Sequence, residues 1–394
     1  MRLCPLIFLQ FCTMSHGLPN TPSWLQNSQN LSYVNTLLST LGERERQRDT
    51  ARRASRRHQS QPVLRVLQSA KRYHYSVAAG CANTWGNRYL DLEPYDRTRV
   101  VVGNDEEQSI VGTGGASHGR YLNASWVREL FGGKWWIATQ APLPNTAHAF
   151  LSVILQPVTR PPQLLDGSTT SQRCRVRTVV QLTKNVENDR VKAHSYFPAV
   201  IGACWTIPPE ERASVPSIKV TLLETTSIPE IHCIQSTVSI VPISSTGREQ
   251  DPITFRHLMY TAWPDHGVPE PEARASLLAF IHLVDRSNKD TSGQPHSDEL
   301  YPDPPIMVNC SAGIGRTGSF IALSSLLRGY DLFTSGPVTN LAPLPASPLG
   351  PLPVEFKDDL VAQEVDSLRE QRPGMVQRDE QLVLIYEVLA AAFP

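Results

Sequence analysis

A cysteine, two glycines and an arginine stand close together in residues 306–318 of the chain. Cys310 follows a short apolar run, Gly313 and Gly315 come next, and Arg316 stands six positions after the cysteine. Backbone N–H groups of such a short loop can converge on one centre and bind a tetrahedral oxyanion. A guanidinium at the end of the loop can hold two oxygens of a phosphate. The spacing therefore predicts a phosphate-binding loop that carries a thiol.

The same segment also favours a reactive form of the thiol. We expect a helix to begin near Arg316, and its N-terminal partial positive charge would stabilise a thiolate at Cys310. Thr317 can donate a hydrogen bond to that thiolate or to a departing thiophosphate. The alternative is a buried structural cysteine without chemistry. Because strand, loop and helix signals agree, we interpret Cys310 as a nucleophile.

Short strands and helices must position this loop. Runs rich in Val, Ile and Thr predict strands at 176–183, 218–226, 231–243 and 305–309. Helical periodicity predicts helices at 273–284, 319–332, 355–371 and 379–393. Glycine-rich, proline-rich or polar segments near 103–119, 157–174, 286–304 and 335–354 are interpreted as surface insertions. No internal repeat is visible, so we expect one α/β domain.

The N-terminal part has a different character. Residues 1–40 are polar and mixed, and we expect a poorly ordered tail there, followed by a catalytic domain at 41–394. Residues 43–58 hold seven arginines against three acidic residues. This run predicts a solvated helix that packs through Leu37, Leu38 and Leu41. A docking patch or a nuclear signal is the alternative.

Composition excludes several classes of protein. The chain has 394 residues, and 37 Lys plus Arg balance 37 Asp plus Glu, so there is no sequence-wide positive charge for nucleic-acid binding. No apolar stretch approaches the roughly 20 residues that cross a bilayer. The cysteines are seven and scattered, without a CxxC pair, which favours neither disulfides nor a zinc site.

We therefore expect a reducing, cytoplasmic location, with the nucleus as a second location. The start has a positive residue and a short apolar core, but no A-x-A-like site follows, so we do not expect a signal peptide. Met14 is an alternative start.

Taken together, the motifs resemble the classical protein tyrosine phosphatases over roughly residues 50–394. The segment 306–318 resembles the active-site loop of that family. The family's other motifs follow in the same order: Asn87-Arg88-Tyr89 and Pro94-Tyr95-Asp96, residues 121–125, residues 138–143, Trp263-Pro264-Asp265, and residues 377–381. The resemblance implies a single domain with a central, highly twisted mixed β-sheet flanked by α-helices. It also implies phosphotyrosine-containing proteins as substrates and no cofactor or metal.

The resemblance assigns roles to individual residues. The catalytic set it implies is Cys310 as nucleophile, Arg316, Thr317, Asp265 as general acid and later base, and Gln377 and Gln381 as water-positioning residues. The substrate-binding set adds Tyr89, Asp91, Ser311, Ala312, Gly313, Ile314 and Gly315. Asn309, Glu187, Lys192 and Trp263 are implied to support the site.

Each of these residues also has a plain structural interpretation. Asp265 alone could cap a turn, and Tyr89 alone could be a core tyrosine. Two glutamines four positions apart could be surface residues, and Glu187 with Lys192 could form an exposed hairpin salt bridge. Only the motif context favours the functional interpretation.

One position departs from the family pattern. Asn309 stands where the family has histidine, and an amide cannot carry a positive charge beside the nucleophile. We therefore hypothesise a thiolate pKa above the family norm. The style of the motifs suggests a fungal-like, single-domain, non-receptor member that acts as a monomer. A phosphotyrosine-binding pseudophosphatase is the alternative function, and a phosphatase of broader or lipid specificity is a third.

Overall fold

The computed structural model describes most of the chain outside a few loops and the N-terminus. The described residues are 22–58, 74–103, 119–156, 175–211, 213, 215–265, 267–292, 302–333 and 341–393. The predicted insertion at 157–174 lies outside them, as does most of the insertion at 103–119. Residues 293–301 of the insertion at 286–304 and residues 335–340 of the insertion at 335–354 also lie outside. Residues 1–21 also lie outside.

The described strands build one large sheet and one hairpin. They are β1 Arg99–Val102, β2 Arg120–Arg128, β3 Trp135–Thr139, β4 Thr178–Gln181, β5 Val186–Glu187, β6 Arg190–Val191, β7 Cys204–Ile207, β8 Ser217–Ile228, β9 Cys233–Ile243, β10 Ile253–Tyr260 and β11 Ile306–Asn309. The nine-stranded sheet has the order β1-β2-β3-β11-β4-β10-β9-β8-β7, and β5 pairs with β6. Strand β11 runs parallel to β3 and β4, while β2 and β3 are antiparallel. The predicted mixed sheet is confirmed.

Helices cover the sheet on both faces. They are α1 Ser23–Asn27, α2 Leu31–His58, α3 Ala78–Ala82, α4 Ala147–Leu155, α5 Pro271–Lys289, α6 Gly315–Gly329, α7 Leu360–Gln371 and α8 Asp379–Ala392. The predicted strands and helices all occur near their expected positions. The helix predicted at 355–371 begins later, at Leu360, because Asp359 caps it by accepting a hydrogen bond from Ala362 N at 3.0 Å.

The centre of the sheet positions the thiol-bearing loop. Strand β11 is buried along its whole length between β3 and β4. Helix α6 follows it and is buried on all sides against α7 and α8. Since both flanking elements belong to the core, the loop between them is fixed at both ends.

Residues 22–40 differ from the expected poorly ordered tail. They form α1 and the first turns of α2, and Trp24, Leu25 and Leu37 are buried in the main core. Trp24 Nε1 donates a hydrogen bond to Tyr330 Oη at 2.9 Å, far along the chain. The apolar side chains of this segment bury their surface against the C-terminal helices, which offsets the entropy of ordering the chain.

Helix α2 packs through Leu37 and Leu41 as predicted, but one of its faces is not solvated. Arg48 is fully buried, and it pairs with Asp366 and with Glu370 on α7. Arg44 is also buried and pairs with Asp366 at 2.7 Å. Charges so far inside a protein require partners, and α7 supplies them.

Candidate active site

The loop after β11 is packed too tightly for side chains at its glycines. Gly313 has a left-handed φ of 70°, and a Cβ there would collide with the Thr139 carbonyl. A Cβ on Gly315 would lie 2.9 Å from the Gln381 amide. The backbone therefore approaches its neighbours in a way that only glycine permits.

Arg372 holds the outer side of this loop, and sequence reasoning missed it. Its buried guanidinium donates to Gly313 O at 2.8 Å and to Ala312 O at 3.1 Å. It also donates to Asn123 Oδ1 at 2.9 Å, and burial lowers its pKa to about 10. Two loop carbonyls are thereby turned toward Arg372. The Pro373-Gly374 pair that follows Arg372 predicts a turn. The sequence around Arg372 does not indicate which groups its guanidinium contacts.

Cys310 lies at the base of the loop with 5% of its surface exposed. Burial alone would raise the pKa of its thiol, but Arg316, the Thr317 hydroxyl and the backbone N–H groups of Thr317 and Ile314 outweigh that effect. The pKa of Cys310 is consequently below the ordinary thiol value. Thr317 Oγ1 makes no hydrogen bond of normal geometry with any described residue, so the charge of Arg316 and the two backbone N–H groups carry most of this effect.

The guanidinium of Arg316 is fixed by a buried carboxylate. Nη1 and Nη2 donate to the two oxygens of Glu187 at 2.8 and 2.7 Å. Nη1 also donates to Leu182 O at 3.0 Å. This two-point contact fixes the plane of the fork, and its positive charge lies beside the thiol of Cys310.

Asp265 reaches the same site from the loop after β10. Its Oδ1 lies 3.3 Å from Arg316 Nη2, and its Oδ2 lies 2.8 Å from Lys192 Nζ. Trp263 is buried beneath this loop, and its Nε1 donates to Gly267 O at 3.2 Å. His266 lies outside the described residues. The loop after β10 thus places the carboxylate of Asp265 opposite the guanidinium of Arg316.

The hairpin β5–β6 supplies Glu187 and leads to Lys192. Asn188 and Asp189 at its tip have positive φ values of 49° and 59°, as a tight two-residue turn requires. Burial would raise the pKa of Glu187, but the bonds from Arg316, Thr183 and Lys184 lower it overall. Glu187 contacts Arg316 and Lys192 contacts Asp265, so the structure joins both residues to the site.

Tyr89 stands at the rim of the loop. Its hydroxyl lies 2.8 Å from Ser311 Oγ, which itself donates to Lys192 O at 2.7 Å. Since the single Ser311 proton is used there, Tyr89 is the donor in their bond. Tyr89 is 38% exposed, so it is not a core tyrosine.

Asp91 lies further out than Tyr89. Its side chain is 87% exposed and pairs with Arg56 of α2 at 3.3 Å. The same guanidinium holds Glu93 at 2.5 Å. Helix α2 therefore reaches the rim, which sequence reasoning did not indicate.

The two glutamines are placed differently. Gln381 is buried in the first turn of α8 against Gly315, and its Oε1 accepts from Arg378 N at 3.2 Å. Gln377 is exposed and lines a cleft of about 440 Å³ together with Asp91 and Arg56. The structure thus brings Gln381 to the loop and leaves Gln377 at its edge.

Asn309 occupies a fully buried position before the nucleophile. Its Nδ2 donates to Cys310 O at 3.0 Å. Its Oδ1 is buried without a hydrogen-bond partner among the described residues. The amide therefore holds the strand end and adds no positive charge next to Cys310, and the comparison of its thiolate pKa with the family norm stays a prediction.

Metal-binding clusters and membrane-spanning helices are both absent from the described residues. Among them, no group of three or more His, Cys, Asp or Glu side chains is arranged to hold a metal ion. No helix within the described ranges combines the length and hydropathy needed to cross a bilayer.

The sequence and the fold are similar to those of known proteins. The family model described as protein-tyrosine phosphatase matches residues 83–161 and 169–339. The tyrosine-protein phosphatase Lar-like of Caenorhabditis elegans is 27% identical over 332 residues, which are 84% of this chain and 12% of that protein. The non-receptor type 20 phosphatase of Mus musculus is 28% identical over 309 residues, or 77% of this chain and 52% of the relative.

A solved structure of PTPN18 superposes with a TM-score of 0.58 at 22% identity, covering 94% of this chain and 97% of that one, and so supports the fold. The chain spans about half or less of the length of the curated relatives named here. Similar proteins include receptor-type and non-receptor members, so the subtype is not distinguished. The family model alone covers more than half of the sequence. The chain belongs to the protein-tyrosine phosphatase family.

Proposed function

We propose that this protein hydrolyses phosphotyrosine in proteins through a covalent phosphocysteine intermediate. The observation that carries the proposal is the buried Cys310, whose pKa is lowered beside Arg316 and the loop amides. A thiolate of this kind is a nucleophile, and the surrounding donors match the oxygens of a phosphate.

In the first step the Cys310 sulfur attacks phosphorus, and the bond from phosphorus to the tyrosyl oxygen breaks. A phenol has a pKa of about 10, so leaving as the bare anion is unfavourable at neutral pH. Asp265 donates a proton to that oxygen. A phosphate dianion that binds Arg316 and Lys192 competes with Asp265 for them, and this favours the protonated acid that the step needs.

In the second step a water held by Gln377 and Gln381 attacks phosphorus. The phosphorus–sulfur bond breaks, the thiolate of Cys310 leaves, and Asp265 accepts the proton of the water. The guanidinium of Arg316 and the loop N–H groups stabilise the equatorial oxygens in both steps. We expect this set of donors to work without a metal or cofactor.

Specificity for phosphotyrosine follows from the depth of the site. Cys310 lies at the base and Tyr89 at the rim, where its ring can stack on a substrate ring. A phosphoserine side chain is too short to span that depth. The same argument speaks against lipid or broad specificity, in which the rim would not select a ring.

Other features of the whole protein remain predictions. We propose a fungal-like, single-domain, non-receptor enzyme that acts as a monomer in the cytoplasm, with the nucleus as a second location. We expect neither nucleic-acid binding nor membrane insertion. The near-zero net charge of the sequence supports the first of these expectations.

A second candidate function is binding of phosphotyrosine without turnover. It is favoured by the ion pairs of Asp265, because a carboxyl whose two oxygens are held by Arg316 and Lys192 must leave these partners before it can donate a proton. Turnover of a phosphotyrosine peptide, with Cys310→Ser as control, decides between the two. Release of phosphate by the wild type alone supports the enzyme. Tight binding without release supports the pseudophosphatase.

A further inference from the structure

A strained residue precedes the exposed glutamine of the site. Val376 has a φ of 53°, a left-handed conformation that is unfavourable for a β-branched side chain. It is fully buried, and Gln377 follows it directly. Such conformations persist only where the surroundings hold them, and they concentrate at functional sites.

Hydrogen bonds fix the backbone on both sides of Val376. Its N–H donates to Ile314 O in the phosphate-binding loop at 3.2 Å. The guanidinium of Arg369 donates to Met375 O at 2.9 Å and to Val376 O at 2.8 Å. Gly318 of α6 also lies against Val376 N, where any Cβ would collide. The strained turn is therefore held by the loop on one side and by Arg369 on the other.

Helix α2 also holds the strained turn at Val376, although no residue of α2 belongs to the proposed catalytic set. Glu45 Oε1 accepts a hydrogen bond from Gly374 N at 3.1 Å, and Gly374 has a φ of 70°. Leu41 O accepts from Arg369 Nη1 at 3.1 Å. Two successive turns of α2 thus contact both ends of the segment 369–376. The other oxygen of Glu45 lies 3.4 Å from Arg48 Nη1, which steadies the carboxylate.

We infer that Glu45 is a positioning residue for the second chemical step, holding the strained turn that aims Gln377. The inference rests on the proposed function, because Gln377 acts on the water that cleaves phosphocysteine. In the described structure Glu45 is hydrogen-bonded to Gly374 and Arg48, and to none of Cys310, Arg316 and Asp265. Its loss should therefore slow hydrolysis of the intermediate more than its formation.

Pre-steady-state kinetics with p-nitrophenyl phosphate test this inference. The rate of the initial burst of nitrophenol release reports formation of phosphocysteine. The amplitude of the burst and the steady-state rate together give the rate of phosphocysteine hydrolysis. For Glu45→Ala we expect hydrolysis to fall on the order of fivefold, the rate equivalent of one lost hydrogen bond. Formation should change less than about twofold, so phosphocysteine should accumulate.

Two further variants separate positioning from stability. Glu45→Gln keeps an acceptor for Gly374 N and should restore wild-type hydrolysis. Glu43→Ala removes an exposed glutamate on the same helix, bonded to Arg46, and should leave both rates unchanged. Equal slowing of both steps by Glu45→Ala, or no slowing, would overturn the inference. A wild type that forms no phosphocysteine would instead refute the proposed function.

Discussion

The base and the rim of the pocket are held in different ways. At the base, Cys310 and Arg316 are buried, and backbone groups, glycines and Arg372 fix the loop. At the rim, Tyr89 and Asp91 are exposed, and single side-chain contacts to Ser311 and Arg56 hold them. Backbone restraint in a buried loop gives a rigid centre for chemistry, whereas side-chain restraint lets recognition residues change without unfolding. Changes at the base should accordingly cost far more than changes at the rim.

The largest effect should follow a change in the guanidinium at the base. Arg316→Lys keeps the charge but loses the fork that pairs with Glu187 and with two phosphate oxygens. We expect kcat to fall by about 10³-fold, the upper end of the loss that follows removal of one oxyanion donor. Arg190→Lys on the exposed hairpin is the matched control and should leave kcat unchanged. A tenfold loss of kcat corresponds to only about 1.4 kcal/mol, roughly one ordinary contact. A loss of that size or less would contradict bidentate binding of phosphate by Arg316.

Removing the acid should have the next largest effect, and it should depend on the substrate. Asp265→Asn removes the proton donor, so we expect phosphotyrosine turnover to fall about 10²-fold. The loss should be smaller with p-nitrophenyl phosphate, whose leaving group is a weaker base. Steady-state kinetics on both substrates measure the difference, with the exposed Asp251→Asn as control. Equal losses on both substrates would argue against Asp265 as general acid.

A pair of glycine variants measures how rigid the base is. Gly313 and Gly202 both have left-handed φ values, 70° and 80°, but only Gly313 lies against another backbone. Gly202→Ala should lower the free energy of unfolding by about 1 kcal/mol from backbone strain alone. Gly313→Ala should lower it by more than about 3 kcal/mol, since the Thr139 carbonyl cannot move freely. Urea unfolding provides both values, and equal losses would show that the loop is not tightly packed.

The charged support of α2 should make the protein sensitive to acid. Burial raises the pKa of Glu370, but His74, Arg48 and Ser347 lower it to about 2 overall. A lowered pKa contributes stability above the unfolded value of about 4.3, and that stability is lost as pH falls toward 2. Glu370→Gln should therefore lower the free energy of unfolding by at most roughly 3 kcal/mol at pH 7. In the variant, the free energy of unfolding should also fall less steeply as the pH drops from about 4 toward 2. An unchanged dependence on pH in this range would contradict a lowered pKa for Glu370.

The smallest effect concerns the residue before the nucleophile. Asn309→His would place an imidazole where the amide now donates to Cys310 O. If the amide leaves the thiolate less stabilised, the pKa of Cys310 should fall by less than about one unit in the variant. The pH profile of Cys310 alkylation measures this shift. No shift would mean that Arg316 and the loop amides alone set the pKa.

Site residues that are neighbours in the chain were easier to predict from the sequence than those that reach the site from elsewhere. Cys310, Gly313 and Arg316 are neighbours in the chain, so their spacing alone defines the loop. Arg372 was missed because its partners Ala312 and Gly313 are remote in sequence, and its turn signal does not name them.

Helix α2 was misjudged in the same way. Its arginines look like a solvated run, and only the fold shows that Asp366 and Glu370 lie opposite them. Residues 22–40 looked polar on average, yet Trp24 and Leu37 face the core. Average composition does not record which face of a helix is covered.

The proposed mechanism requires a covalent bond between Cys310 and phosphate, and rapid-quench trapping tests that bond directly. The wild type is mixed with a ³²P-labelled phosphotyrosine peptide, quenched in acid within one turnover, digested and mapped. We predict label on the peptide that contains Cys310, decaying at the rate of phosphate release. Phosphate release without labelled protein, or label on a residue other than Cys310, would contradict the account.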